Sequence, residues 1–197
     1  MGKISKIFVV LLVGFFLTVK SQENAANLLS LPDPIELNET EFYLAWSKQN
    51  SKTLALQQYL PKDETIEMFS QLLNFSYFNK DIELELAVRQ KVDGFQTKLD
   101  NDKYAEINVT EGPDGKEFIV DFTLSESDGK KEPYLEYNIY RFKKYDALPQ
   151  KPLLILNYAK RIYGTDFKQA KKAIMKERDV LMTNIIQYKI PDIVMKP

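Results

Sequence analysis

YAEINVTEGPDGKEFIVDFTLSESDGKKEPYLEYNIYRFKKYDALPQKPLLILNYAKRIY, residues 104–163, contains four segments in which apolar and polar side chains alternate, with turn signals between them. The apolar sets are Ala105/Ile107/Val109, Phe118/Val120/Phe122/Leu124, Leu135/Tyr137/Ile139 and Leu154/Leu156/Tyr158. A period of two puts the members of each set on one face of a strand. The pattern predicts a four-strand antiparallel meander whose apolar sets share a face. The first turn, Gly112-Pro113-Asp114-Gly115, combines a preset φ with a residue free to adopt positive φ.

After the meander, Phe167, Ala170, Ile174, Leu181, Ile185 and Tyr188 recur at helical spacing, interrupted by Arg178. They predict a long helix, starting near Thr165 or Asp166, that covers the sheet. Pro191 stops it. Lys168, Lys172 and Lys176 lie four residues apart on this helix and read as a solvated face.

Before the meander, residues 41–47 and 53–60 are β-prone runs joined by a hairpin-length loop. Trp46, the sole tryptophan, reads as a core or core-edge residue. Asp63 is placed to cap a helix through residue 73, with Ile66, Phe69, Leu72 and Leu73 as its stripe. A second helix is expected over 81–99, from Leu84, Val88, Val92, Phe95 and Leu99, with Gly94 a weak point inside it. Residues 75–78 suggest a very short strand. Altogether this is an α+β chain: an antiparallel sheet of about six strands, formed by an N-terminal hairpin plus a four-strand meander. Two internal helices and a long C-terminal helix pack on it.

Domain organisation follows from the N-terminal region. Lys3 and Lys6 precede an apolar run over residues 7–19, and Val19-Lys20-Ser21 offers a cleavage site, so residues 1–21 read as a signal peptide cut near Ser21. The run of 13 residues is short for a membrane span. Residues 22–36, with Pro32 and Pro34, are expected as an extended arm. Residues 37–197 are expected as a single α+β domain. The predicted location is periplasmic or secreted, and a cysteine-free exported chain fits a bacterial envelope.

Composition excludes several chemistries. With no Cys and no His there is no thiol nucleophile, imidazole base or Cys/His zinc site. Residues 1–21 hold three lysines and no acid, so the remainder carries a net charge of about −4. That sign argues against nucleic acid as a partner. No cofactor, metal site or catalytic residue is predicted. Glu83 with Glu85, Glu106 with Glu117, and Asp121 are carboxylates that a hydrolase would use in pairs, but no spacing here fixes a pair.

The second face of the meander is the candidate site. Its first two strands present Glu106, Asn108, Thr110, Glu117, Asp121 and Thr123, whereas the last two present large apolar and aromatic groups. Six of the 11 tyrosines fall within 134–163, and Tyr and Arg are favoured at interfaces. Tyr134, Tyr140, Phe142, Asn157, Arg161 and Tyr163 are therefore the expected ligand- or partner-binding residues. The partner would be a small apolar molecule or an envelope protein, with the membrane involved only during export. A helix covering this face is the alternative. Arg141, in step with the apolar set of its strand, is expected to snorkel at the sheet margin. The function that follows is an exported, non-enzymatic binding or accessory protein. A carboxylate-dependent hydrolase and a structural envelope component are the competing classes.

Overall fold

The computed structural model describes residues 25–127, 129 and 131–196. The expected signal peptide lies outside them. One antiparallel sheet of eight strands runs through the fold in the order β1-β2-β3-β4-β8-β7-β6-β5. β1 (Ile35–Leu37), β2 (Thr40–Ser51), β3 (Leu54–Pro61) and β4 (Gln71–Phe78) form one meander. α1 (Leu84–Asn101) then carries the chain to the far edge, where β5 (Glu106–Glu111) begins. β6 (Glu117–Glu126), β7 (Tyr134–Lys144) and β8 (Leu153–Tyr163) return stepwise until β8 pairs with β4. α2 (Phe167–Gln187) follows β8. The predicted α+β antiparallel architecture is present, with more strands and one fewer internal helix.

The helix expected over 63–73 is replaced by a turn and the strand β4. Asp63 adopts φ 66°, which closes the turn after β3 rather than capping a helix. β4 is central, paired with β3 and β8, and buries side chains on both faces. Leu73, Phe75 and Tyr77 join one core, while Leu72 joins Leu60, Phe69 and Ala159 on the other side. The helical spacing of Ile66, Phe69 and Leu72 is met without a helix, because a bent segment lays the first two over the third. Two-sided pairing outweighs a short stripe of helical period.

The meander forms as expected, but its apolar sets divide between the faces. Val120 opposes Tyr140 and Phe122 opposes Asn138, so the β6 set shares a face with the even-numbered residues of β7. That face is covered by α1 through Leu84, Ala87, Val88 and Phe95. Leu135, Tyr137 and Ile139 lie on the opposite face with Leu154, Leu156 and Tyr158, under Ala170, Ile174, Leu181 and Ile185 of α2. A register read one residue out exchanges the faces of a whole strand, and turn sequences alone do not set it over long loops.

This exchange explains the polar half-face. Glu106, Glu117, Asp121 and Thr123 lie on the α2 side; Glu106 and Asp121 bind charges of the helix, Glu117 pairs with Arg141 and Lys143 of β7, and Thr123 donates to the Tyr104 carbonyl. Asp121, 1 % exposed, receives two 2.9 Å bonds from Arg178 and one of 3.1 Å from the Tyr137 hydroxyl. Lys171 reaches Glu106 at 2.7 Å. Arg141 does not snorkel: it is 7 % exposed, is held by Glu117, and donates to the carbonyls of Ile185 at 3.1 Å and Tyr188 at 2.9 Å. It thereby satisfies carbonyls at the end of α2 that have no helical partner. At the other end, the Asp166 side chain accepts from Gln169 N at 3.0 Å and caps the helix, at the start expected near Thr165 or Asp166. Lys168, Lys172 and Lys176 are exposed.

The expected arm is instead part of the domain. Leu29, Leu31 and Ile35 are 0–2 % exposed within the α2-side core. Val194 N and Lys196 N bond the carbonyls of Leu29 and Leu28, so the two ends of the described chain lie side by side. The segment bends at residues 28–29 and 33–34 rather than staying extended, and Leu29 and Leu31, ahead of the prolines, bury it.

Candidate functional site

The six expected site residues fall into three places. Phe142 is 1 % exposed and belongs to the α1-side core. Tyr140 stacks on Phe122 at 5.6 Å, with Lys91 Nζ of α1 3.7 Å above its ring. This pair is covered mainly by α1, the alternative weighed from the sequence.

Tyr134, Arg161 and Tyr163 form a second group at the other end of β7 and β8. The Arg161 guanidinium lies between the rings of Phe69, 3.8 Å away, and Tyr134, 4.1 Å away, and donates to Glu136 Oε2 at 2.6 Å. The Tyr163 hydroxyl accepts from Phe69 N and donates to Phe69 O, both at 3.1 Å. Burial pushes the Tyr134 phenol up to about 12, so it stays neutral. Together these residues fasten the segment between β3 and β4 onto the sheet, with Arg161 Nε and the Tyr163 hydroxyl already bonded.

Asn157 occupies the third place: it is 5 % exposed and lies in a stripe between α1 and that fastened segment whose outer members are half-buried. The register builds the stripe: Trp46 opposes Gln58, Gln58 opposes Asn74, Asn74 opposes Asn157, and Asn157 opposes Tyr140. One side chain from each of five adjacent strands therefore lies in line. At about 4.8 Å per strand, the line is roughly 19 Å long.

Local sequence accounts for each position. β2 has an irregularity between Leu44 and Trp46, and this extra residue brings Trp46 onto the α1 side beside Gln58. Trp46 belongs to none of the three apolar clusters and is half-buried, so of the expected core or core-edge roles it does not take the core one. Gln57, the neighbour of Gln58, points the other way, is fully buried and bonds Leu29 N and the Tyr59 hydroxyl. Gln58 and Asn74 are half-buried.

Hydrogen bonds orient the amides. Asn157 Nδ2 donates to Tyr158 O at 3.1 Å and Asn138 Oδ1 at 3.2 Å. A backbone carbonyl can only accept, so the nitrogen of Asn157 faces inward and its Oδ1 faces out. Asn74 Nδ2 donates to Ser76 Oγ at 3.2 Å, leaving its carbonyl oxygen to the open side. Among the described residues, the Trp46 indole N–H and the Gln58 amide have no hydrogen-bond partner. The stripe thus offers an indole, one uncommitted amide and two outward carbonyl oxygens, with no charged side chain in the line.

Two recesses lie elsewhere. One, with about 10 Å³ of room, sits beside Asp121, Tyr137 and Arg178 beneath α2. The other, about 200 Å³, opens at the start of α1 between Glu83, Glu85, Lys116, Lys144 and Asp146. Glu83 and Glu85 are thus separated from Glu106, Glu117 and Asp121 by the sheet. No group of acidic residues suited to a metal ion occurs among the described residues.

Sequence reading found Asn157 and missed Trp46, Gln58 and Asn74. The signal for the last two was the alternation in QQYL and LLNFSYF, where amides replace apolar residues at one parity of otherwise apolar strands. No curated protein and no solved structure matches the chain. The chain belongs to a protein family, described only as a family, whose model matches residues 29–190, well over half of its length.

Proposed function

We propose that this is an exported, non-enzymatic binding or accessory protein whose ligand lies across the stripe. The observation that carries the proposal is the line Trp46–Gln58–Asn74–Asn157, where a half-buried indole and two half-buried amides stand in register beside the buried Asn157. Sites on strands hold their side chains in place at little entropic cost to binding.

The carboxylates weighed for hydrolysis support this reading. Glu106, Glu117 and Asp121 are ion-paired with Lys171, Arg141 and Arg178 at 2.7, 2.7 and 2.9 Å. Burial raises the Glu117 pKa, but Arg141 and Lys143 outweigh that and hold it below the ordinary carboxylate range, the wrong direction for a general acid. The recess at the start of α1 is lined largely by charge, which suits a small apolar ligand poorly.

The test is native mass spectrometry of the protein purified from the envelope of its own host, together with its N-terminal sequence. An adduct that is absent from Trp46→Ala and Gln58→Ala proteins of unchanged melting temperature is the expected result, on chains beginning near Gln22. An adduct retained by both variants would place the ligand elsewhere, and intact Met1 would remove export by cleavage.

A further inference from the structure

We infer that the stripe binds an uncharged saccharide chain, laid across β2, β3, β4 and β8; this rests on the binding reading above. The first argument is polarity. Gln58 can donate and accept, and Asn74 and Asn157 turn carbonyl oxygens outward. Hydroxyl groups, which also donate and accept, are the complement of such a set. An apolar ligand would leave those groups desolvated and unpaired, which costs binding energy.

The second argument is charge. Anions are bound by Arg forks or lysines, and the line holds neither. Two of the cations at its borders are engaged, Arg161 by Glu136 at 2.6 Å between two rings and Lys91 above Tyr140 at 3.7 Å, while Lys48, two residues from Trp46 on the same face, lies exposed at one end. A single exposed lysine at one end does not match a chain charged at every unit.

The third argument is Trp46. A sugar ring has a face of C–H groups and an edge of hydroxyls, so it needs a flat apolar platform beside hydrogen-bonding groups. The half-buried indole next to Gln58 supplies that pair, and its N–H has no partner among the described residues. The fourth is shape. From Trp46 to Asn157 the line spans about 14 Å at one polar position per strand. A run of repeating units can use all of those positions, and a single ring cannot.

Trp46 is the only tryptophan, so intrinsic emission reports on this site alone. The experiment titrates the protein with linear neutral hexasaccharides, covering α- and β-linked glucose and β-linked xylose, mannose and N-acetylglucosamine. Hexagalacturonate and the free monosaccharides serve as the comparison.

The expected result is a saturable change in emission with at least one neutral hexasaccharide, and at least tenfold weaker binding of its monosaccharide. Asn74→Ala and Gln58→Ala should each weaken that binding about tenfold at an unchanged melting temperature. Tighter binding of hexagalacturonate than of every neutral chain overturns the proposal. So does the absence of any response at millimolar sugar. In that last case the native mass spectrum separates the two readings. An adduct lost on Asn74→Ala keeps the stripe as a site for another ligand, whereas an adduct that survives the substitution removes both.

Discussion

Gly94 shows how a residue-level rule fares inside the folded chain. It lies in an exposed position of α1, an added Cβ would meet nothing within 4 Å, and the helix runs through it unbroken. Its only effect is the entropy it adds to the unfolded chain. Gly94→Ala should therefore stabilise the protein by about 1 kcal/mol, a rise of roughly 2–4 °C in a thermal melt. No rise would mean that the helix is strained at this point. Trp46 teaches the converse. Its size and apolarity argue for the core or its edge, and an irregularity in β2 sets it on the α1 side, half-buried and outside all three clusters. Residue type sets what a side chain can do, and strand register decides where it does it.

At the scale of elements, α2 is attached by charge as well as by its apolar stripe. Arg178, which interrupts that stripe in the sequence, is matched by Asp121 on β6, and Glu117 with Arg141 holds the helix end. The consequence is pH dependence. Burial raises the Glu117 pKa, hydrogen bonds and charges from Arg141 and Lys143 lower it further, and the net position is below the ordinary 4.5. A carboxylate with a depressed folded pKa contributes stability that is complete above the unfolded value and lost as pH falls through the folded one. Stability should accordingly fall as pH drops below about 4.5. Glu117→Gln should flatten that part of the profile while lowering stability at pH 7. Denaturant melts of both proteins from pH 7 to 3 would show it; parallel profiles would mean that another carboxylate governs the acid limb.

For the whole molecule, the two ends of the described residues close the α2-side core. Leu28 and Leu29 pair with the tail after α2, and Leu29 is 0 % exposed beneath it. The family match beginning at residue 29 agrees with counting this segment as part of the domain. Leu29→Ala should cost about 3 kcal/mol, as for a buried leucine, rather than the few tenths expected of an arm in solvent. Urea unfolding measures the difference, and a change below 0.5 kcal/mol would return the segment to the role of a tether.

Alternation and turn chemistry were enough to identify the strands of the second meander, and helical period was enough for α1 and α2, because these signals are local. The absence of Cys and His likewise bounded the chemistry without any structure. Three things required the tertiary structure. The strand β4 carried a helical stripe that only pairing on both edges could overrule. The faces of β6 and β7 depended on a register fixed by contacts across long loops. The stripe itself draws its residues from four strands separated by up to 111 positions in sequence, Trp46 to Asn157, and no periodicity within one segment can bring them into line. Local periodicity records which face of an element is apolar; which faces meet, and what is left uncovered between them, is settled only when the sheet assembles.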